Sequence, residues 1–103
     1  MKSFCVVTLS LFSFISAELT HFERGLNLYD QRAEKSIGLN ADPSLIGKAI
    51  NEFLIAMKSP EKELDAGVFL LKCYYFKGKF VSQNDDEKKH IYNKGKELGE
   101  KLI

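Results

Sequence analysis

Tryptophan is absent, and only two cysteines and two prolines occur among 103 residues. Two cysteines cannot build the disulfide-dense scaffold that many small secreted domains use in place of a large core. Net positive charge is equally scarce. The formal charge is +1, from 15 Lys and Arg against 14 Asp and Glu, so the basic surplus from which nucleic-acid binding is argued is missing. No Gly-rich phosphate loop, Gly-x-Ser-x-Gly element or isolated carboxylate pair is present. His21 and His90 are the only histidines, and neither has a second His or Cys three or four residues away, as a helical zinc site requires. Asp85, Asp86 and His90 read instead as a solvated helix start. These absences predict a protein with no catalytic residue, no metal and no cofactor.

Hydrophobicity is not lacking. At 45% hydrophobic residues the chain exceeds the composition of disordered segments. Its first stretch is an exception to the globular pattern. Lys2 is followed by an uncharged apolar run over residues 4–15, then by Ser16-Ala17. A basic start, a short apolar core and a small-residue exit predict a signal peptide over residues 1–17, cleaved after Ala17. Such a run is too short to span a bilayer, which takes about 20 residues. No cysteine sits at the end of this run, where an acylated residue would be needed, so lipid anchoring is not expected. Cleavage leaves 86 residues with 14 basic and 14 acidic side chains. Cys5 departs with the signal and Cys73 remains alone. The expected location is therefore periplasmic or secreted, without a stable membrane anchor.

Residues 18–103 read as all-α. Leu19, Phe22, Leu26, Tyr29, Ala33 and Ile37 fall at helical spacing, and Gly38 is read as the stop. Asp42-Pro43 is a start signal, because Asp accepts free backbone N–H groups and Pro fits the first helical position. The second face runs through Leu45, Ile46, Ala49, Ile50, Phe53, Leu54 and Met57. Ser59-Pro60-Glu61 is read as the next start. Residues 64–76 are apolar nearly all round, predicting a helix buried on more than one side, with Gly78 marking its exit. Asn84 followed by Glu87 predicts a capped fourth helix through Ile91, Tyr92, Leu98 and Leu102.

The third and second segments carry a recognisable pattern. Leu71, Tyr74, Gly78 and Phe80, with Ala49, Phe53, Ala56 and Pro60, resemble the two halves of a tetratricopeptide repeat. Small residues in this pattern let antiparallel helices approach, and aromatics fill the space to the next pair. Weaker copies are Phe22, Gly25, Leu26 and Tyr29, and Lys88, Tyr92 and Gly95. Tyr29 to Ala49 and Tyr74 to Lys88 are longer than the pattern requires, so both turns within the hairpins are expected to be extended. The runs 65–80 and 91–99 are also similar to the T component of tripartite ATP-independent periplasmic (TRAP) transporters. This resemblance implies an α-solenoid of about two antiparallel hairpins, acting as a non-catalytic protein-interaction module beside a periplasmic solute receptor.

Polar and aromatic positions on the first helix of each pair would line the groove of such a solenoid. Asn27, Gln31, Lys72, Tyr75 and Lys79 are the expected partner-binding residues. The Lys72, Lys77 and Lys79 cluster among aromatics is assigned to this repeat surface, not to nucleic acid. A different reading makes the chain a carrier of a hydrophobic small molecule, with Phe53, Phe69, Tyr75 and Phe76 around an apolar cavity. Leu98, Leu102 and Ile103 suggest an apolar terminal face, hence self-association into a homo-oligomer or truncation of a longer array. Cys73, inside the most apolar segment, is expected to be an inert core thiol.

Overall fold

The computed structural model describes residues 19–103; the signal segment read over residues 1–17 lies outside them. Four helices follow in order: α1 (His21–Asp30), α2 (Pro43–Ala56), α3 (Glu63–Phe80) and α4 (Asp85–Leu102). The described residues are therefore all-α, packed as antiparallel pairs. None of these helices is long and apolar enough to cross a membrane.

Local chemistry sets most of the boundaries. Thr20 and Glu23 close a reciprocal box at the head of α1. Thr20 Oγ1 accepts from the Glu23 N–H at 3.1 Å, while Glu23 Oε1 accepts from the Thr20 N–H at 3.1 Å. Asp42 caps α2 by accepting from the Ser44 N–H at 2.7 Å, with Pro43 at the first helical position. Asn84 caps α4 by accepting from the Glu87 N–H at 2.9 Å.

Three expected boundaries move. The first helix ends at Asp30 rather than at Ile37. Beyond it the chain tightens into successive three-residue turns, with Arg32, Glu34 and Ser36 N–H groups donating to Tyr29, Gln31 and Ala33 carbonyls. The Arg32 guanidinium also donates to the Tyr29 carbonyl at 2.9 Å and lies 4.1 Å over the Tyr29 ring. That side chain satisfies a carbonyl which further helix would have used. Gly38 adopts φ +62° in the reversal that pairs Ile37 with Asn40, a backbone region open to glycine at little cost. Ile37 is 83% exposed, so it does not belong to the α1 core face.

The second shift is at Ser59-Pro60-Glu61, which forms turns; α3 begins at Glu63 without a side-chain cap. Third, α3 runs through Gly78 to Phe80. Gly78 is an interior contact point, not an exit. Consequently only the first hairpin has an extended connection, residues 31–42; the second has residues 81–84.

The helix order in space follows from specific contacts. Gly25 of α1 meets the Phe53 ring of α2, and Phe22 meets the same ring edge-on at 5.9 Å. Gly67, Tyr74 and Gly78 of α3 oppose Leu102, Gly95 and Tyr92 of α4 in reversed order, so this pair is antiparallel. The Ala41 N–H, just before α2, donates to the Phe80 carbonyl at the end of α3. Phe22 and Tyr29 both touch Phe69, and Arg32 lies over Phe76 at 5.4 Å. Positions along α1 thus advance with positions along α3, and these two helices run side by side in the same direction.

The core gathers where α1, α2 and α3 meet. Ile46, Ala49, Phe53, Ala66, Leu70 and Cys73 are buried there, and Phe69 stacks on Phe53 at 5.6 Å. Two expectations about apolar residues change here. Phe53, Phe69 and Phe76 pack within the core while Tyr75 is exposed beside Tyr92, so the four rings do not surround a common cavity. Leu98 packs on the core and Leu102 covers Gly67. The apolar end of α4 therefore closes its own hairpin, and only Ile103 of the final three apolar residues is left exposed.

Candidate functional site

All five expected partner-binding residues are exposed, but they are not one patch. Asn27 lies two residues from Gly25 and two from Tyr29, both turned toward the neighbouring helices. A two-residue step places Asn27 on the far side of α1. Gln31 follows four residues later, at the helix end. On α3 the grouping is tighter. The Lys79 ammonium lies 3.5 Å from the Tyr75 hydroxyl and 5.7 Å from that ring's centroid. Tyr75 in turn tilts against Tyr92 of α4 at 6.5 Å. Lys72 extends its ammonium to 4.5 Å from the Phe69 ring, which places it at the seam between α1 and α3.

A concave feature lies on another side of α3, between α2 and α4. This open groove holds about 500 Å³, with Leu70 and Tyr74 at its base and Leu54, Met57 and Leu98 on its walls. Lys58, Lys94 and Lys101 line it together with Glu63 and Glu97. A rim of both signs offers no preference for a ligand of one charge.

His21, Arg24 and Glu52 form a polar cluster that sequence spacing did not reveal. His21 Nδ1 lies 2.6 Å from Glu52 Oε2, and Arg24 Nε lies 3.5 Å from the same oxygen. The short contact makes Nδ1 the donor to the carboxylate. It leaves no lone pair there for Arg24 Nη2, which stands 3.0 Å away as a neighbour and not as a donor. The Thr20-x-x-Glu23 box was the available signal that His21 starts a helix. Its pairing with Glu52 depends on how α1 crosses α2.

The His21 hydrogen bond holds the Glu52 carboxyl below its usual range, against the opposing effect of desolvation and with help from Arg24. Cap hydrogen bonds lower Glu23 and Asp42 in the same direction. An acid with a lowered folded-state pKa stabilises the fold above its unfolded value, and that contribution drains away as pH falls. The chain should therefore lose stability on acidification below about pH 4–5. Glu52→Gln should flatten this acid limb in urea midpoints measured across a pH series. A residual slope from Glu23 and Asp42 should remain.

Cys73 is buried, and desolvation pushes its thiol up to about 12. A thiol in that state is a poor nucleophile. Under native conditions at pH 8, Cys73 should resist iodoacetamide for a period that fully alkylates it in urea. Peptide mapping by mass spectrometry checks the site directly. Among the described residues no charged or polar side chain is buried, and no three His, Cys, Asp or Glu side chains converge. Comparison with known family models, with curated proteins and with solved structures finds no match to this chain.

Proposed function

We propose that this protein is an exported, non-catalytic protein-interaction module of the tetratricopeptide-like class. Its observational basis is the parallel alignment of α1 and α3, each backed by an antiparallel partner, with α3 keeping Lys72, Tyr75 and Lys79 exposed. Stacked hairpins of this kind hold their first helices at a constant orientation toward a ligand. Buried Ala49 and Ala56, and the close approach at Gly25, support the repeat resemblance. In this reading residues 1–17 direct export and are removed after Ala17, and residues 18–103 form the working domain in the periplasm. Asn27 and Gln31 contribute a separate polar face. The partner is the solute receptor of a tripartite ATP-independent periplasmic transporter, beside which the chain serves as the T component.

The test is direct. A Gram-negative host expressing the full chain should release a periplasmic product whose mass begins at Glu18. That product should bind, by fluorescence anisotropy, the purified solute receptor encoded beside its gene. Lys79→Glu and Tyr75→Ala should each weaken binding about tenfold, or about 1.4 kcal/mol. An unprocessed product overturns export. The lack of a neighbouring receptor gene, or no binding at about 0.1 mM, overturns the transporter assignment.

A further inference from the structure

We propose that the outer face of α3 and α4 docks an amphipathic helix with acidic flanks, supplied by a partner protein. This inference rests on the interaction-module reading and specifies the chemistry of the partner.

Leu64, Val68, Leu71 and Tyr75 recur at steps of four, three and four, so they form one stripe along α3. Leu64 is 61% exposed, Val68 41% and Tyr75 58%, with Leu71 partly buried among them. Two other directions around α3 are taken. Ala66, Leu70 and Cys73 face the core, while Gly67 and Gly78 face α4. Tyr92, 39% exposed, lies against Tyr75 and carries the apolar surface across onto α4. A contiguous exposed apolar surface on a small soluble domain marks a contact site. Its spacing is the one by which helices present anchors to a partner helix.

Charge selects the occupant. Lys79 stands four residues after Tyr75, with its ammonium 5.7 Å from the centre of that ring. On α4, Lys88 and Lys96 stand four residues either side of Tyr92. These three lysines are exposed, and their spacing puts them beside the two tyrosines; Lys72 turns the other way, toward the Phe69 ring. The acidic residues near this face, Asp65, Asp85 and Glu100, lie toward the helix ends. A two-fold pairing of this face with itself would set the central lysines against lysines, a costly arrangement. Head-to-tail stacking on the outer side of α1 would meet a polar helix face. The apolar side chains Phe22 and Tyr29 already pack inside, and the outer side of α1 presents Glu23, Asn27 and Asp30. A helix carrying an apolar ridge between Glu or Asp rows satisfies both the stripe and its rim.

The probe is a fluorescein-labelled peptide of about four helical turns, with leucines at the same spacing and glutamates on both flanks. A twin peptide carries lysine in place of glutamate. With the chain processed after Ala17, the glutamate peptide should bind in anisotropy titrations with an affinity that falls as salt rises. The lysine twin should bind at least about tenfold more weakly. Val68→Ser and Tyr75→Ser, both at exposed positions and checked for unchanged circular dichroism, should each cost about tenfold. Lys79→Glu together with Lys96→Glu should remove most of the salt dependence.

Equal binding of the two peptides, or binding insensitive to Tyr75→Ser, overturns the proposal. So does a concentration-dependent dimer in sedimentation equilibrium that Tyr75→Ser abolishes, which would make a second copy the occupant. Tyr75-dependent flotation with phosphatidylglycerol vesicles overturns it in favour of a membrane surface. If the acidic peptide fails while the transporter receptor still binds, the acidic-helix inference falls and the interaction-module reading stands. Failure of both removes both.

Discussion

Phe53→Ala is expected to bring the chain to the edge of unfolding at 25 °C. Phe53 is fully buried, stacks on Phe69, meets Phe22 edge-on and lies against the backbone of Gly25. Truncating a buried phenylalanine costs about 3–5 kcal/mol, the lost transfer energy plus the cavity left behind. Domains near this size have only about 5 kcal/mol of total stability to lose. The site has little freedom to collapse around the gap, because three helices meet there. The short helix α1 leans on this ring through Phe22 and Gly25, with Leu26, Leu28 and Tyr29 also packed against the core. Urea titration followed by far-ultraviolet circular dichroism should show the midpoint falling by half or more, with α1 losing structure first. Phe53→Leu should stay folded and cost about 1 kcal/mol. A Phe53→Ala midpoint close to that of the parent chain would disprove this account of the core.

Gly25→Val should be the other severe change, and it acts by crowding. A Cβ at Gly25 would lie 2.6 Å from Phe53 Cε1 and 2.9 Å from its neighbours in the ring. That ring cannot withdraw, since Phe69 and Phe22 hold its other sides. Overpacking of this kind costs about 1–3 kcal/mol, and a β-branched residue inside a helix adds to it. The melting temperature should drop by about 10 °C or more. The same test at Gly47 has the opposite sign. Nothing lies within 4 Å of a Cβ there, so Gly47→Ala should stabilise α2 by about 0.5–1 kcal/mol. Gly78→Ala should fall between the two, because the nearby Tyr92 ring is partly exposed and free to swing outward.

Two helix starts that depend on groups within a few residues were readable in advance. Asp42-Pro43 and Asn84-x-x-Glu87 are complete instructions, since the cap and the N–H it satisfies lie within one turn. The end of α1 was not readable in this way. Apolar spacing continues to Ile37, yet Arg32 turns back over Tyr29 and Phe76, and Phe76 is distant in sequence. Gly78 misled for a related reason. Glycine usually signals an exit, but here it makes room for Tyr92 of the following helix. Of the five expected contact residues, Tyr75 and Lys79 meet because they are one helical turn apart. Asn27 and Gln31 are separated from them by the rotation of α1 about its own axis, which periodicity alone does not set.

The amino-acid sequence by itself determined the helical class, the caps at Asp42 and Asn84 and the burial of Cys73 in an apolar segment. Each of these is a local property of spacing and hydrogen-bonding chemistry. Only the tertiary structure decided that Leu98 and Leu102 close their own hairpin, that Glu52 receives His21, and that Tyr75 and Tyr92 share an outward face. Those outcomes follow from how whole helices rotate and cross. Many weak contacts settle such geometry together, and no short stretch of sequence contains it.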